Sequence, residues 1–419
     1  MHRRSILPAV LSAAAAIPAV MLPACTPGAP GVVDAGPGTD PDAFEDSDGP
    51  VPDAAPGDLR LLHAGDLGYL GSFTLPDDDG GGGTLNYGGY ALGLGLDGSS
   101  LYFGCIYGTA LARVSIPAIG GRAALLERCQ GVPNLGAIDP GEVNGFVLGG
   151  SLAWNGRMIA SAYAYYDADN SATRSHFAGP TLASAHGPYV VGTDRPGFVG
   201  GYMTEVPPEW RDRLGGPALT GQCCISIISR SSYGPSASVF DPDALGVVDP
   251  VPSTMLVGYP QAHPTLGDYP SVGTDFNGAT KMGGVAFPRG TRSVLFVGRH
   301  ASTFCYGSGT PDPALDGQPS PGGGVWCYDP TNSYKGTHGY PYRHQIWAYD
   351  AEELAAVRAG SKAPWQVTPY ATWALPEMGG TTGAATMQSA TYDPTTRRWY
   401  IALEGSGATP EVHVYQIAP

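Results

Sequence analysis

Residues 281–300, KMGGVAFPRGTRSVLFVGRH, decide the fold of this 419-residue chain. Two runs rich in β-forming residues, 281–287 and 293–298, flank a turn made of Pro, Arg, Gly and Thr. That pattern predicts a β-hairpin. Its second strand ends at Arg299 and His300, whose side chains suit charge binding and proton transfer.

Versions of this hairpin recur along the chain, as in a repeat protein. The copies lie at residues 88–104, 149–160, 234–242, 281–298 and 388–402. Several are followed by a further strand, and the spacing of about 70 residues fits propeller blades with long insertions. The sequence therefore predicts an all-β fold, a β-propeller of about five blades. Five to seven blades are compatible with it, and a sandwich or a β-helix is the alternative.

The composition agrees with a chain of short strands joined by many turns. It contains 62 Gly and 40 Pro, which argues against a helical protein. Two short surface helices are expected at residues 207–215 and 350–360, where Pro or Asp precedes the run and Gly ends it. The 22 basic and 37 acidic residues give a net charge of −15, which disfavours nucleic acid as a partner.

The N-terminal segment predicts export and a membrane anchor. Residues 1–25 have a basic start and an apolar run too short to span a bilayer, and they end in LPAC, which resembles the bacterial lipobox. We expect a lipid on Cys25. A plain secretory signal is the alternative, and Arg3-Arg4 also resembles a twin-arginine signal. Because Thr26 is not the Asp of an inner-membrane retention signal, an outer-membrane lipoprotein is expected, facing the periplasm or the surface.

The rest of the chain divides into two regions. Residues 26–60 are rich in Gly, Pro and Asp with few large apolar side chains, which predicts a disordered acidic tether. Residues 61–419 are expected to form a single propeller-like domain. The acidic runs at residues 46–49 and 77–80 resemble calcium loops but lack the remaining ligands, so structural calcium has little support and no other cofactor is evident.

Six cysteines remain once Cys25 is set aside, an even number for an oxidising compartment. Six allow 15 connectivities. Proximity in the chain favours Cys105–Cys129 and Cys305–Cys327, which leaves Cys223–Cys224 as a vicinal pair. The alternative is that these two adjacent thiols bond to different partners. No spacing has the paired form of a zinc site, so no metal is predicted.

The candidate site residues are cations, histidines and tyrosines near strand ends. Arg299, His300 and Arg343 are candidates for catalysis on an acidic sugar, where a cation neutralises a uronate carboxylate and a His or Tyr takes the adjacent proton. The candidates for binding are Tyr306, His338, Tyr340, Tyr342, His344, His263, Cys223 and Cys224. The ordinary alternative is that these side chains pair with turn carboxylates. The carboxylates outside turns, among them Glu404, are scattered and predict no glycosidase pair.

Four segments, PPEW at 207–210, GQCC at 221–224, Arg299-His300 and residues 340–350, resemble a family of exported bacterial lipoproteins with a propeller-like domain. The resemblance covers most of the chain after Leu61 and implies no particular activity. With 23 Tyr and 7 Trp, binding is better supported than catalysis. The leading hypothesis is a surface module that recognises a glycan or a protein partner. The alternatives are a lyase-like polysaccharide enzyme and a purely structural envelope protein, and the oligomeric state is left open.

Overall fold

The structure is a computed structural model. It describes residues 55–139, 145–167, 169–222, 224, 231–260, 262–263, 267–268, 275–378, 386–404 and 409–419. None of the described helices is both long and apolar enough to cross a membrane.

The described residues form five four-stranded antiparallel sheets. Strands are numbered in chain order, and the first, β1, is Leu67–Thr74. Sheet 1 contains β2 (Gly93–Leu94), β3 (Ser100–Gly104), β4 (Ala110–Ser115) and β5 (Leu125–Gly131). Sheet 2 contains β6 (Phe146–Trp154), β7 (Arg157–Ala164), β8 (His176–Gly179) and β9 (His186–Tyr189). Sheet 3 contains β10 (Met203–Glu205), β11 (Ala218–Gly221), β12 (Ala237–Phe240) and β13 (Ser253–Val257).

The last two sheets are interrupted or completed by distant parts of the chain. Sheet 4 contains β16 (Lys281–Ala286), β17 (Ser293–Ala301), β21 (Tyr342–Asp350) and β22 (Ala371–Ala374). Sheet 5 contains β23 (Met387–Asp393), β24 (Arg398–Leu403) and β25 (Glu411–Ile417), with β1 as its fourth strand. Outside these sheets lie β14 (Ala262–His263), β15 (Gly267–Asp268), β18 (Cys305–Thr310), β19 (Val325–Tyr328) and β20 (Lys335–His338).

The five sheets are arranged as a closed ring. The inner strands β2, β6, β10, β16 and β23 each contact the inner strands of both neighbouring sheets. An apolar cluster lies between every two neighbours; Phe296 and Trp347, for example, belong to the cluster between sheets 3 and 4. This is a five-bladed β-propeller, and each sheet is one blade that keeps its number. The predicted fold class is confirmed. Blade 5 contains both the first strand, β1, and the last strand, β25. The two strands pair along their length, with Leu67 opposite Ile417 and Thr74 opposite Glu411.

The inner strands meet at the axis through small residues. A Cβ added to Gly149 would lie 2.1 Å from the Gly200 carbonyl oxygen of the next blade. The Ser151 hydroxyl donates to the Ala91 carbonyl at 2.8 Å, and the Leu92 amide donates to Ser389 Oγ at 2.9 Å. The repeated glycines and serines in the sequence are therefore explained by the close contact between neighbouring blades.

The third hairpin predicted from the sequence was misplaced. Residues 234–242 contain β12, which is the third strand of blade 3 and not its inner strand. The inner strand is β10, only three residues long, and it follows Gly200-Gly201. A helix separates β10 from β11, so this blade has no short strand-turn-strand signature in the sequence.

The helices are short, and two of them are those predicted. The α-helices are α1 (Pro196–Val199), α2 (Pro208–Leu214) and α3 (Ala351–Arg358). The Asp350 carboxylate caps α3 by accepting from the Glu352 amide at 3.0 Å, and Gly360 follows with φ +75°. The 3₁₀ turns lie at Pro56–Asp58, Ala64–Asp66, Ile106–Gly108, Leu135–Ile138, Leu182–Ser184, Pro242–Ala244, Pro313–Leu315, Pro364–Gln366 and Pro376–Met378.

Two predicted disulfides are confirmed, Cys105–Cys129 and Cys305–Cys327. The second joins β18 to β19 inside the segment 302–341, which leaves blade 4 between β17 and β21 and is called the insertion below. Cys224 is also disulfide-bonded. Cys223 lies outside the described residues, so the vicinal pair stays a prediction.

Candidate functional site

The end of the ring axis at which the inner strands begin is called the upper end. Lys281 is the first residue of β16 and pairs with Arg299 near the end of β17. Because paired residues of an antiparallel sheet point to the same face, both side chains lie on the side of blade 4 that faces blade 5. A bulge between Met282 and Gly284 sets this register.

Lys281 contacts residues of two other blades. Its Nζ donates a hydrogen bond to Gln388 Oε1 in blade 5 and lies 5.8 Å from the ring centroid of Tyr90, which precedes β2. Burial lowers the pKa of Lys281 to about 8; the Glu404 carboxylate opposes this shift and Arg299 adds to it. Burial also raises the pKa of Tyr90 to about 12. Tyr90, Lys281, Arg299, Gln388 and Glu404 are called the upper cluster.

Arg299 is held mainly by an aromatic ring. Its Cζ lies 4.0 Å from the ring centroid of Tyr342, a cation–π contact, and its Nη1 donates to Thr386 Oγ1 at 3.2 Å. Its Nε is buried and has no hydrogen-bond partner among the described residues. Burial lowers the pKa of Arg299 from its usual range.

A buried polar network in the insertion supports Tyr342. The Tyr342 hydroxyl donates to Asp329 Oδ2 at 2.7 Å, and His338 Nδ1 lies 3.0 Å from the same oxygen. His338 Nε2 lies 3.0 Å from the Tyr334 carbonyl oxygen, so both ring nitrogens have a partner. Burial opposes ionisation of Asp329, but hydrogen bonds from His338, Thr331 and Tyr342 outweigh it and hold the pKa of Asp329 below its usual range.

The three candidates for catalysis do not form one cluster. His300 pairs with Arg343, and both lie on the opposite face of blade 4 from Arg299. The His300 ring makes an edge contact with Trp347 at 6.0 Å between centroids. Burial, together with the nearby charge of Arg343, lowers the pKa of His300 to about 4, so His300 is neutral near pH 7. Arg343 Nε donates to Gln345 Oε1 at 2.8 Å.

The candidates for binding are also dispersed. His344 is buried on the Arg299 face, where it pairs with Arg299 across the sheet. The Tyr340 ring packs edge-on against Tyr342. Tyr306 is half exposed on β18 of the insertion. His263 belongs to β14, and its side chain lies outside the described residues.

Cys224 lies near the upper cluster. It packs in a small apolar group with Val147 and Tyr163, against which Tyr90 also packs. The sequence predicts Cys224 as a binding residue in a vicinal disulfide. The structure places it beside the upper end of blades 1 and 2.

Sequence reasoning missed most of the upper cluster. In the sequence, Lys281 is only the first residue of a predicted strand, Tyr90 and Gln388 belong to the repeats, and Glu404 is one of several scattered carboxylates. All of these except Glu404 lie at or just before the start of an inner strand, beside the small residues of the repeat. An alignment of the repeats on the start of each inner strand would have placed Tyr90, Lys281 and Gln388 at equivalent positions.

Four exposed tyrosines lie at the upper ends of blades 1 and 2, in the segments before β2 and after β3 and β7. Their exposed fractions are 46% for Tyr87, 73% for Tyr107, 49% for Tyr165 and 49% for Tyr166. Tyr165 is close enough to Tyr90 to act on its pKa, and a Cβ added to Gly108, next to Tyr107, would lie 2.9 Å from Tyr90 Cγ. These four residues are called the tyrosine rim.

The opposite, lower end of the axis holds a cavity of about 180 Å³. It is lined by residues of all five blades, including Glu205, Arg289 and Asp393. The Asp393 carboxylate is engaged by its own turn, where it accepts from the Thr395 amide at 2.9 Å. Arg289 is exposed and Glu205 lies 3.7 Å from Arg211. The cavity therefore lies at the opposite end of the axis from Lys281, Arg299 and the tyrosine rim. The upper end has more polar and aromatic side chains that are suited to binding a ligand.

One group of carboxylates could hold a divalent cation. Oxygens of Asp139, Asp167 and Asp169 lie within 4.8 Å of one another. The acidic loop at residues 77–80 is not such a group, because the Asp79 carboxylate accepts from the amides of Gly81 and Gly83, both at 2.8 Å. The other loop, residues 46–49, lies outside the described residues.

No protein-family model matches the chain, and no curated protein matches it. Among solved structures, an arabinanase of Bacillus subtilis is 10% identical with a TM-score of 0.41, covering 78% of this chain and 93% of that one. An α-L-arabinanase mutant of Cellvibrio cellulosa is 8% identical with a TM-score of 0.39, covering 78% and 91%. A luciferin-regenerating enzyme is 7% identical with a TM-score of 0.34, covering 84% and 94%. Similarities this distant carry no argument about activity.

Proposed function

We propose that this protein recognises a glycan at the upper end of its propeller. The observation that supports the proposal is the tyrosine rim beside the partly buried polar side chains of the upper cluster. Tyrosine rings offer flat apolar faces to the ring of a sugar and a hydroxyl to its polar edge. A few convergent polar groups below such rings fix the orientation of a ligand.

The test is a glycan array and a polysaccharide pull-down with the full chain, followed by substitution of two rim residues. Replacing both Tyr165 and Tyr166 by Ala should weaken binding at least about tenfold, or about 1.4 kcal/mol, because two stacking surfaces are lost. The matched variant with Phe at both positions keeps the rings and should retain most of the affinity. Absence of glycan binding, or binding only to a protein partner, would contradict the proposal.

A second candidate activity is β-elimination at the same site. It is favoured by Lys281, whose pKa of about 8 places an amine that gains and loses a proton near neutral pH beside the cation Arg299. One cation would neutralise a uronate carboxylate while a base removes the proton at the adjacent carbon. A double bond then forms in the sugar, the carbon–oxygen bond to the leaving group breaks, and the glycosidic oxygen leaves as an alcohol after taking a proton from the protonated base or from water. New ultraviolet absorbance from an unsaturated uronate, lost in Lys281→Met, would establish this activity.

The proposed location is the outer membrane, with a lipid on Cys25 and residues 26–60 as the tether. Cys25→Ala should abolish labelling of the protein by radioactive palmitate, because the lipidated thiol is gone. Thr26→Asp is the matched control, since it should keep the label and move the protein to the inner-membrane fraction. Label that persists in Cys25→Ala would remove the anchor from the proposal.

A further inference from the structure

The upper cluster holds two cations that face each other, and within the part of the chain that the structure describes neither forms an ion pair with a carboxylate. Lys281 and Arg299 are direct partners across β16 and β17, on one face of the sheet. Like charges at such positions are destabilising. Among the described residues, no carboxylate oxygen lies within 4.0 Å of either cation, whereas Arg113 and Arg213 have such partners.

Both cations are positioned by uncharged groups, and each has more donors than it uses among the residues that the structure describes. Tyr342 lies under the Arg299 guanidinium, and Tyr90 lies near the Lys281 ammonium. An arginine has five N–H donors and a lysine has three. Arg299 donates to Thr386 and Lys281 donates to Gln388, and Arg299 Nε is buried without a partner among the described residues.

The charges nearby favour a singly charged ligand. Glu404 is close enough to act on both cations, and Asp329, which accepts a hydrogen bond from Tyr342, also acts on Arg299. Within the upper cluster itself, Lys281, Arg299 and Glu404 have a formal net charge of +1, which one carboxylate would balance. A planar carboxylate can also accept two parallel hydrogen bonds from a guanidinium.

We propose that the glycan recognised at the upper end is an acidic saccharide, whose carboxylate binds between Lys281 and Arg299. This inference depends on the proposed glycan recognition and names the class of sugar. A sulfate ester is also a monoanion, so the test includes a sulfated sugar. Tyr342 then acts as a positioning residue for Arg299.

The test is calorimetric titration of the full chain at pH 7 with three probes of equal length. These are a galacturonic acid trisaccharide, a neutral galactose trisaccharide and a sulfated galactose trisaccharide. The galacturonic acid probe should bind at least about 30-fold more tightly than the neutral probe, since the neutral sugar leaves two cations unpaired. Equal affinity for the neutral probe overturns the inference and leaves glycan recognition standing. Tighter binding of the sulfated probe also overturns it, and no binding of any saccharide overturns both proposals.

Substitutions of Lys281 and Arg299 test whether their charges bind the saccharide, and a substitution on the opposite face of the sheet is the control. Arg299→Gln and Lys281→Met should each lower the affinity for the galacturonic acid probe about 30-fold or more. Arg343→Gln, on the same strand pair but the opposite face, should leave the affinity unchanged. Unaltered binding by Arg299→Gln, in a chain that melts at the wild-type temperature, overturns the inference.

The pH dependence gives an independent readout. The groups that face Lys281 are Glu404, Arg299, Tyr90 and Gln388, and the pKa of Lys281 itself is about 8. Affinity for the galacturonic acid probe should therefore be constant between about pH 6 and 7 and fall as the pH rises through 8, because the ammonium loses its proton. Lys281→Arg keeps its charge and should bind without that fall. A wild-type affinity that does not change between pH 7 and 9.5 overturns the role of Lys281.

Discussion

Asp329→Asn is expected to lower the free energy of unfolding by about 3 kcal/mol. Asp329 is fully buried and accepts hydrogen bonds from Tyr342 at 2.7 Å, from the Thr331 hydroxyl at 2.7 Å and, across 3.0 Å, from His338. An amide removes the negative charge and replaces one acceptor oxygen by an NH₂ donor, so the donors of Tyr342, Thr331 and His338 can no longer all be accepted. A hydrogen bond to a charged acceptor contributes about 1.5–3 kcal/mol, and a buried donor left unpaired adds a desolvation cost.

The pH dependence of stability follows from the direction of the shift. The pKa of Asp329 is lower in the folded protein than in the unfolded chain, so the carboxylate stabilises the fold above about pH 4. That contribution is lost as the pH falls further toward the folded pKa. Urea denaturation at pH 7 and pH 3 should show a smaller difference between wild type and Asp329→Asn at the lower pH.

The matched control for this prediction is Asp316→Asn in the same insertion. Asp316 is exposed and accepts one hydrogen bond, from the Tyr328 amide at 2.8 Å. The substitution Asp316→Asn should therefore change the free energy of unfolding by less than about 1 kcal/mol. Equal effects of the two substitutions would show that the buried network of Asp329 contributes little to stability.

Phe73→Ala is expected to lower the free energy of unfolding by about 3–5 kcal/mol. Phe73 is 1% exposed on β1, the strand that closes the ring. It packs in the cluster between blades 5 and 1, together with Val412, Leu101 and Phe103. A cavity at this point loosens the attachment of β1 at the closure of the ring, so the loss includes both apolar burial and packing.

Leu70→Ala provides the control on the same strand. Leu70 is 39% exposed, and its truncation should change the free energy of unfolding by no more than about 0.5 kcal/mol. Urea denaturation followed by tryptophan fluorescence measures both variants. Comparable losses for the two substitutions would contradict the importance of the closing strand.

Much of the fold was predictable because each blade repeats a local pattern. The hairpin at residues 281–298 is a strand, a Pro-Gly turn and a strand in the structure, as β16 and β17. The same reasoning failed in blade 3, where β10 has three residues and a helix replaces the turn. Local sequence signals report hairpins, and a blade without a tight hairpin gives no such signal.

The candidate site was less predictable because it depends on register and on ring closure. Arg299 and His300 are neighbours in the sequence, but consecutive residues of a strand point to opposite faces, so they lie on different sides of blade 4. Lys281 and Gln388 are 107 residues apart and meet only because blades 4 and 5 adjoin at the axis. The Arg299 candidate was selected for its charge, and its partner Tyr342 follows from the pairing of β17 with β21.

The most direct test of the central claim is a crystal structure of the full chain with the galacturonic acid trisaccharide. We predict that one carboxylate lies about 3 Å from both Lys281 Nζ and the Arg299 guanidinium, with a sugar ring against the tyrosine rim. A saccharide bound in the lower cavity beside Glu205 and Arg289, or on the insertion away from Arg299, would contradict the account.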